Sequence, residues 1–276
     1  MTTSLVFKKI KHIARIKQVN KVYNFDVPRY ESYIAGGFVV HNCQNWMVSQ
    51  RDNAPKKEMT PGDLVQLAID KDCGGICFTY NEPIVYFEYV MDVAREAKAA
   101  GLDLILKTNA YAEKEPWADL VGASSAMNID WKGTNERYRE VARADDSVIY
   151  VRIEEAIQSG CHVEVSVPVY HDSRLDEFLE FKDFVFQYPN LPIHLLKVFP
   201  ANKTNHLPVT SNALLFKLQK ILSQTNRYVY IANVFSDDVS RSTFCHDCGK
   251  HLVDRSGYEI KRIVEQECCE LCPLCL

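Results

Sequence analysis

Gly75-Ile76-Cys77-Phe78-Thr79-Tyr80-Asn81-Glu82-Pro83 is the stretch on which the fold turns. A short apolar run breaks into an Asn-Glu-Pro turn of the kind that opens a helix, and helical periodicity follows at Phe87, Val90, Met91 and Ala94. The same unit recurs along the chain. Apolar runs at 76–79, 102–106, 126–129, 163–169, 195–199 and 228–232 read as buried parallel strands. Further helical stripes occur at Leu64, Leu67 and Ala68, at Phe178, Phe181 and Phe184, and at Leu214, Leu215, Leu218 and Leu222. The first of these helices opens at Thr60-Pro61, an N-cap followed by proline at the first helical position, with Asp63 as the reciprocal acid. Strand and helix in alternation predict an α/β fold, an open or partial (β/α) barrel with active residues at the C-terminal ends of its strands.

Composition supports a core of that size. The chain has 276 residues, 47% of them apolar and 25% charged, and its net charge of −4 gives no reason to expect nucleic acid or a membrane surface as partner. No apolar run approaches membrane-spanning length, and the N-terminus lacks the apolar block of a signal peptide. Ten cysteines without a secretory signal argue for metal ligands in a cytoplasmic protein and against disulfides.

Upstream of the repeating units lies a different kind of sequence. Residues 22–43 begin Val-Tyr-Asn-Phe-Asp-Val-Pro and end Ala-Gly-Gly-Phe-Val-Val-His-Asn-Cys, which sets His41, Asn42 and Cys43 in a row. A cysteine can attack a thioester, an asparagine can cyclise through its side-chain amide and cut the backbone, and a histidine can move the protons both steps require. The stretch resembles the C-terminal splicing end of an intein, and the resemblance implies splicing at Asn42 and Cys43. Tyr30 and Glu31 stand where many inteins carry a further catalytic histidine. Residues 1–42 are too few to bury an independent core. Two explanations stand: a split intein whose N-terminal member is a separate chain, or loss of the upstream part.

Cys43-Gln44-Asn45-Trp46, Gly75 to Pro83, Lys107-Thr-Asn-Ala-Tyr111 and Asn128-Ile-Asp-Trp-Lys-Gly133 resemble, in order, the radical SAM enzymes related to the pyruvate formate-lyase activating enzyme, most closely the AmmeMemoRadiSam-system type. The resemblance implies a CxxxCxxC loop holding a [4Fe–4S] cluster, with Cys43 as its third cysteine. The first two would come from the N-terminal intein/extein partner, so one thiol would serve first as splicing nucleophile and then as iron ligand. It also implies reductive cleavage of S-adenosyl-L-methionine to a 5′-deoxyadenosyl radical, chemistry that the cofactors carry and the protein positions. The substrate is open, a partner protein to be activated being one candidate.

By the same resemblance, Tyr80, Asn81 and Glu82 replace a Gly-Gly-Glu segment that meets the methionine ammonium, a group suited to a carboxylate. Asn109, Asp130 and Lys132 match positions facing the ribose or the carboxylate of the cofactor. The fifth-strand end matches Val165-Ser-Val-Pro168. At the sixth strand the family's Arg-Phe-His-Pro-like run is replaced by Leu196-Lys-Val-Phe-Pro200, and the competing expectation is a splicing-competent segment on a non-catalytic, metal-binding barrel remnant. His194 and His206 read as structural residues.

The tail carries Cys245-His-Asp-Cys248-Gly249 and Cys272-Pro-Leu-Cys275, two CxxC pairs that read as a Zn(Cys)₄ ribbon, with an auxiliary iron–sulfur cluster as the alternative. Cys268 and Cys269 could compete as ligands. Cys73, Cys77 and Cys161 read as buried inert thiols. Three segments follow: 1–42, the β-rich intein C-terminal part; 43–240, a radical SAM barrel without its first strand; and 241–276, the metal ribbon.

Overall fold

The computed structural model describes residues 59–256, apart from 143, 202–203, 235–241 and 246–247, together with 32–35, 38–41 and 259–262. The chain divides into two compact units, Met1–Glu58 and Met59–Leu276. In the first, β1 (Ser32–Ala35) pairs antiparallel with β2 (Phe38–His41), Ser32 opposite His41 and Ala35 opposite Phe38. His41 thus ends a strand, while Asn42 and Cys43 lie outside the described residues.

The second unit opens with α1 (Pro61–Asp70), and its start was legible in the sequence. Thr60 Oγ1 accepts from the Asp63 amide at 3.2 Å while the Asp63 carboxylate accepts from the Thr60 amide at 3.2 Å. This capping box satisfies two donors that a helix start otherwise leaves orphaned. The α/β body follows as β3 (Gly75–Phe78), α2 (Phe87–Ala99), β4 (Asp103–Thr108), α3 (Lys114–Ala123), β5 (Ala126–Asp130), α4 (Asn135–Val141) and α5 (Ser147–Gln158). It continues with β6 (His162–Val169), α6 (Leu179–Phe186), β7 (Ile193–Lys197), α7 (Asn212–Leu222) and β8 (Val229–Ala232).

The six strands β3 to β8 form one parallel sheet in sequence order. Parallel crossovers share one hand, so a sheet that grows in one direction carries all its crossover helices on the same face. Burial shows that face directly. Ile76, Leu104, Leu106, Met127, Ile129, Val165, Ile193, Leu195 and Ile231 are buried together with Val90, Val93, Leu120, Ile153, Phe181 and Leu218 of the helices. Among the alternate residues of the same strands, Cys77, Lys107, Asn128, Glu164, His194 and Tyr230 are polar and at least partly accessible.

Three expectations are thereby corrected. Only β6 is buried on both faces, from Val165 to Val169; in the other five strands period-two alternation gives a buried side under the helices and a more accessible side opposite. Cys77 follows the polar side and is exposed, as is Cys73 in the turn after α1, while Cys161 is half-buried. None is the buried thiol that its apolar neighbours suggested. The strand expected at 195–199 runs instead over Ile193–Lys197, and Val198 turns its amide to Thr210 Oγ1 at 3.3 Å. Helices α3, α4 and α5 had no assigned stripe. In α5, Ile149, Ile153 and Ala156 make one, but Arg152 is buried beside them and donates to the Ala112 carbonyl at 2.8 Å.

A small antiparallel sheet ends the described chain: β9 (Thr243–Phe244), β10 (His251–Ser256) and β11 (Glu259–Arg262). The Gly249 amide donates to the Cys245 carbonyl at 2.9 Å and the Cys245 amide to the Lys250 carbonyl at 2.7 Å. Gly249 has φ 70°, which glycine adopts without strain, as the tight turn after the first CxxC requires. Cys245 is buried and Cys248 exposed; Cys268, Cys269, Cys272 and Cys275 lie outside the described residues. No helix among the described residues is long and apolar enough to cross a membrane.

Candidate active site

The C-terminal ends of β3, β4 and β5 lie side by side, and the turns leaving them share an unusual backbone. Tyr80, two residues beyond β3, has φ 71° and is exposed; Ala110, two residues beyond β4, has φ 56°. Non-glycine residues rarely adopt such conformations, which persist where surrounding contacts impose them and which concentrate at functional sites. After β5 the positive φ comes one residue later, at Gly133 with φ 127°, where an added Cβ would stand 2.7 Å from Arg137 Cγ.

Those contacts centre on Glu82. Its carboxylate accepts from Thr108 Oγ1 at 2.5 Å, from the Asn109 amide at 2.8 Å and from the Ile84 amide at 3.4 Å. The turn after β3 is thus tied to the end of β4. Burial pushes the Glu82 carboxyl above its ordinary value, the three hydrogen bonds oppose that shift, and Asp130 adds to it. Asn109 Oδ1 accepts from the Tyr111 amide at 2.9 Å, closing an Asx turn. Asn81 donates its amide to the Thr79 carbonyl at 3.0 Å across Tyr80.

At the end of β5 the alternation decides what faces the site. Trp131 turns under the helices, where it stacks on Phe181 with centroids 4.4 Å apart, so Asp130 and Lys132 both turn to the polar side. Tyr138 locks the strand end by accepting from the Lys132 amide at 3.0 Å and donating to the Asp130 carbonyl at 3.2 Å. Asp130 receives Lys107 Nζ at 2.7 Å on one oxygen and Lys132 Nζ at 2.9 Å on the other. Burial alone would raise the Asp130 carboxyl, but the two ammonium groups outweigh it and hold the carboxyl below its usual range. Lys107 also donates to Asn128 Oδ1 at 2.7 Å, which accepts from Ser166 Oγ at 2.7 Å. One polar line thereby crosses β4, β5 and β6.

Of the residues that the sequence nominated, Glu82, Asn109, Asp130 and Lys132 converge here, with Tyr80 and Asn81 on the rim. Lys107, Asn128 and Ser166 belong to the same network and were not nominated. Their signal was available: each occupies the polar register position of an otherwise apolar strand. Lys197, expected where the sixth strand departs from the family pattern, donates to Asn212 Oδ1 at 2.8 Å and lies 5.4 Å over the Phe199 ring.

The site offers groups of both charges together with a side-chain amide. Two ammonium groups can meet a carboxylate, the part-buried Glu82 carboxylate, which forms no ion pair among the described residues, can meet an ammonium, and Asn109 can meet hydroxyls. Sequence and structure comparisons place the chain in a family. Residues 41–185 match the Radical SAM superfamily. The chain is 35% identical over 242 residues to "Uncharacterized protein MJ0808" of Methanocaldococcus jannaschii, covering 84% of this chain and 72% of that protein. Its fold is that of a domain of the pyruvate-formate lyase-activating enzyme from Bacteroides vulgatus, with a TM-score of 0.50, 18% identity, and 58% of this chain matching 99% of that one. It is also that of Streptococcus suis SuiB bound to S-adenosylmethionine, with a TM-score of 0.56, 11% identity, and 70% of this chain matching 48% of that one. The six-stranded parallel sheet with its helices on one side is accordingly a partial (β/α) barrel, and the chain belongs to the radical SAM superfamily.

Proposed function

We propose that the polar ends of β3, β4 and β5 hold S-adenosylmethionine in a radical SAM enzyme that is completed when a second chain is joined at Cys43. The observation that supports the cofactor site most directly is the convergence of Glu82, Asn109, Asp130 and Lys132 from three consecutive strand ends. Bound there, the cofactor supplies a 5′-deoxyadenosyl radical once its sulfonium is reduced. The protein's own part is placement. Lys107 and Lys132, already oriented by Asp130, receive the cofactor carboxylate. Glu82, fixed by Thr108 and the Asn109 amide, receives its ammonium, and that cation would offset the burial that now raises the Glu82 carboxyl. Asn109 takes the ribose.

The described residues do not themselves fit a [4Fe–4S] cluster. Among them no group of three His, Cys, Asp or Glu is arranged to hold a metal, and Cys77 is the one thiol on the polar face. A cluster that takes three cysteines needs the two that would precede Cys43. Splicing through His41, Asn42 and Cys43 is the proposed route by which a separate chain delivers them. In the tail, the turn at Cys245 to Gly249 supports a zinc site completed by Cys272 and Cys275.

The second reading, a non-catalytic remnant, is favoured by Lys197, whose ammonium is occupied by Asn212 and so does not substitute for the missing arginine. One experiment separates the two. The joined protein, reconstituted with iron and sulfide and given reductant and S-adenosylmethionine, should release 5′-deoxyadenosine, and Asn42→Ala should leave the two chains unjoined. Cluster-loaded protein that never cleaves the cofactor would defeat the enzymatic reading.

A further inference from the structure

Beyond the proposed cofactor site, the same face of the sheet carries a second ionisable cluster. Asp130, Ser166, His194 and Tyr230 are register partners across β5, β6, β7 and β8, so they form one row of side chains. Strands lie about 4.8 Å apart, which places His194 two strands, or about 10 Å, from Asp130. His194 Nε2 lies 2.8 Å from Glu164 Oε2, and His162 Nε2 lies 3.2 Å from the other oxygen. The hydrogen bond from His194 is the largest of the effects that hold the Glu164 carboxyl down to about 2.

An ionised carboxylate only accepts, so Nε2 carries the proton and the free tautomer places its lone pair on Nδ1. The ring is fixed by its stack on Tyr230, with centroids 5.4 Å apart and planes at 27°. Among the described residues nothing hydrogen-bonds Nδ1, and the side chain is 26% accessible. A carboxylate on one nitrogen and an open lone pair on the other is the arrangement by which an acid orients an imidazole for proton transfer.

We propose that His194, oriented by Glu164, is a substrate-binding site separate from the cofactor site, where Nδ1 receives an N–H or O–H group of the molecule on which the enzyme acts. That molecule would lie between the row's two ends, with the cofactor at Asp130 and the imidazole at His194. The assignment of the cofactor end rests on the radical SAM reading; the reactivity of Nδ1 does not.

Diethyl pyrocarbonate, which acylates an accessible neutral imidazole nitrogen, tests the proposal on the full chain by peptide mass spectrometry, with exposed His206 as the internal reference. His194 should be acylated in the folded protein. Glu164→Gln should slow that reaction about tenfold, the worth of one charge-assisted hydrogen bond, without changing His206. Glu164→Asp, which keeps the charge, should restore part of the rate and covers the case in which the glutamine variant fails to fold. Saturating S-adenosylmethionine should not protect His194. An unreactive His194, or one equally reactive in Glu164→Gln, would make the pair structural and overturn the proposal. Protection by S-adenosylmethionine would place His194 in the cofactor site and overturn it too. Binding of that cofactor, followed in the same samples by the amide resonance of Asn109, reports separately on the radical SAM reading.

Discussion

The two faces of the six-stranded sheet are made by the same strands and obey opposite rules. Under the helices, Leu106, Ile129, Val165 and Leu195 are fully buried, and Trp131, just beyond the end of β5, stacks on Phe181. One residue away in each strand, Lys107, Asn128, Ser166 and His194 carry charge or hydrogen bonds. The first face holds the fold through removal of apolar surface from water. The second is made of groups that are satisfied only by one another or by a ligand, and such groups add little stability when partly exposed. Substitutions should therefore cost stability on one face and binding on the other.

Phe181→Ala should give the largest stability loss. It removes a fully buried aromatic ring and leaves Trp131 without its stacking partner, so a cost of about 4 kcal/mol is expected in urea unfolding. A loss below about 1 kcal/mol would contradict the assignment of the helical layer as the core. Thr60→Ala, which opens the capping box of α1 on the helical side, should cost about 1 kcal/mol in the same measurement.

The polar face should declare itself through pH. The Glu164 carboxyl sits at about 2 in the folded protein against an ordinary 4.5. A lowered folded value means that its contribution to stability is complete above 4.5 and is lost as pH falls toward 2. The group is about a third accessible, so solvent screens the effect well below what a buried pair would give. Glu164→Gln should flatten the stability profile in that window; an identical profile in the variant would show that the pair with His194 is not formed in solution. Cys77→Ser should have the smallest effect, within about 0.5 kcal/mol, because the thiol lies on the polar face. A loss typical of a core residue would assign Cys77 to the wrong side of β3.

The contrast between the faces also explains what the sequence disclosed. Alternating apolar runs revealed the strands, and Thr60-Pro61-Gly62-Asp63 revealed a helix start, since both signals are local. Cys77 escapes the rule that an apolar run is buried throughout, because its two apolar neighbours, Ile76 and Phe78, face the other way. Glu82, Asn109, Asp130 and Lys132 were nominated through motif resemblance, but Lys107 was passed over because its partners Asn128 and Asp130 lie more than twenty residues away. His194 was set aside for the same reason: Glu164 is thirty residues earlier, and only parallel pairing of β6 with β7 brings them together.

The central claim is that the polar strand ends hold S-adenosylmethionine, and nuclear magnetic resonance tests it on the chain as it stands. Adding the cofactor to isotope-labelled protein should shift the amide resonances of Glu82, Asn109, Asp130 and Lys132. Asp130→Asn, which removes the anion orienting Lys107 and Lys132, should weaken that binding about tenfold, while His194→Asn should leave it unchanged. No shift at these four residues, or equal binding by Asp130→Asn and the wild type, would contradict the assignment of this face to the cofactor.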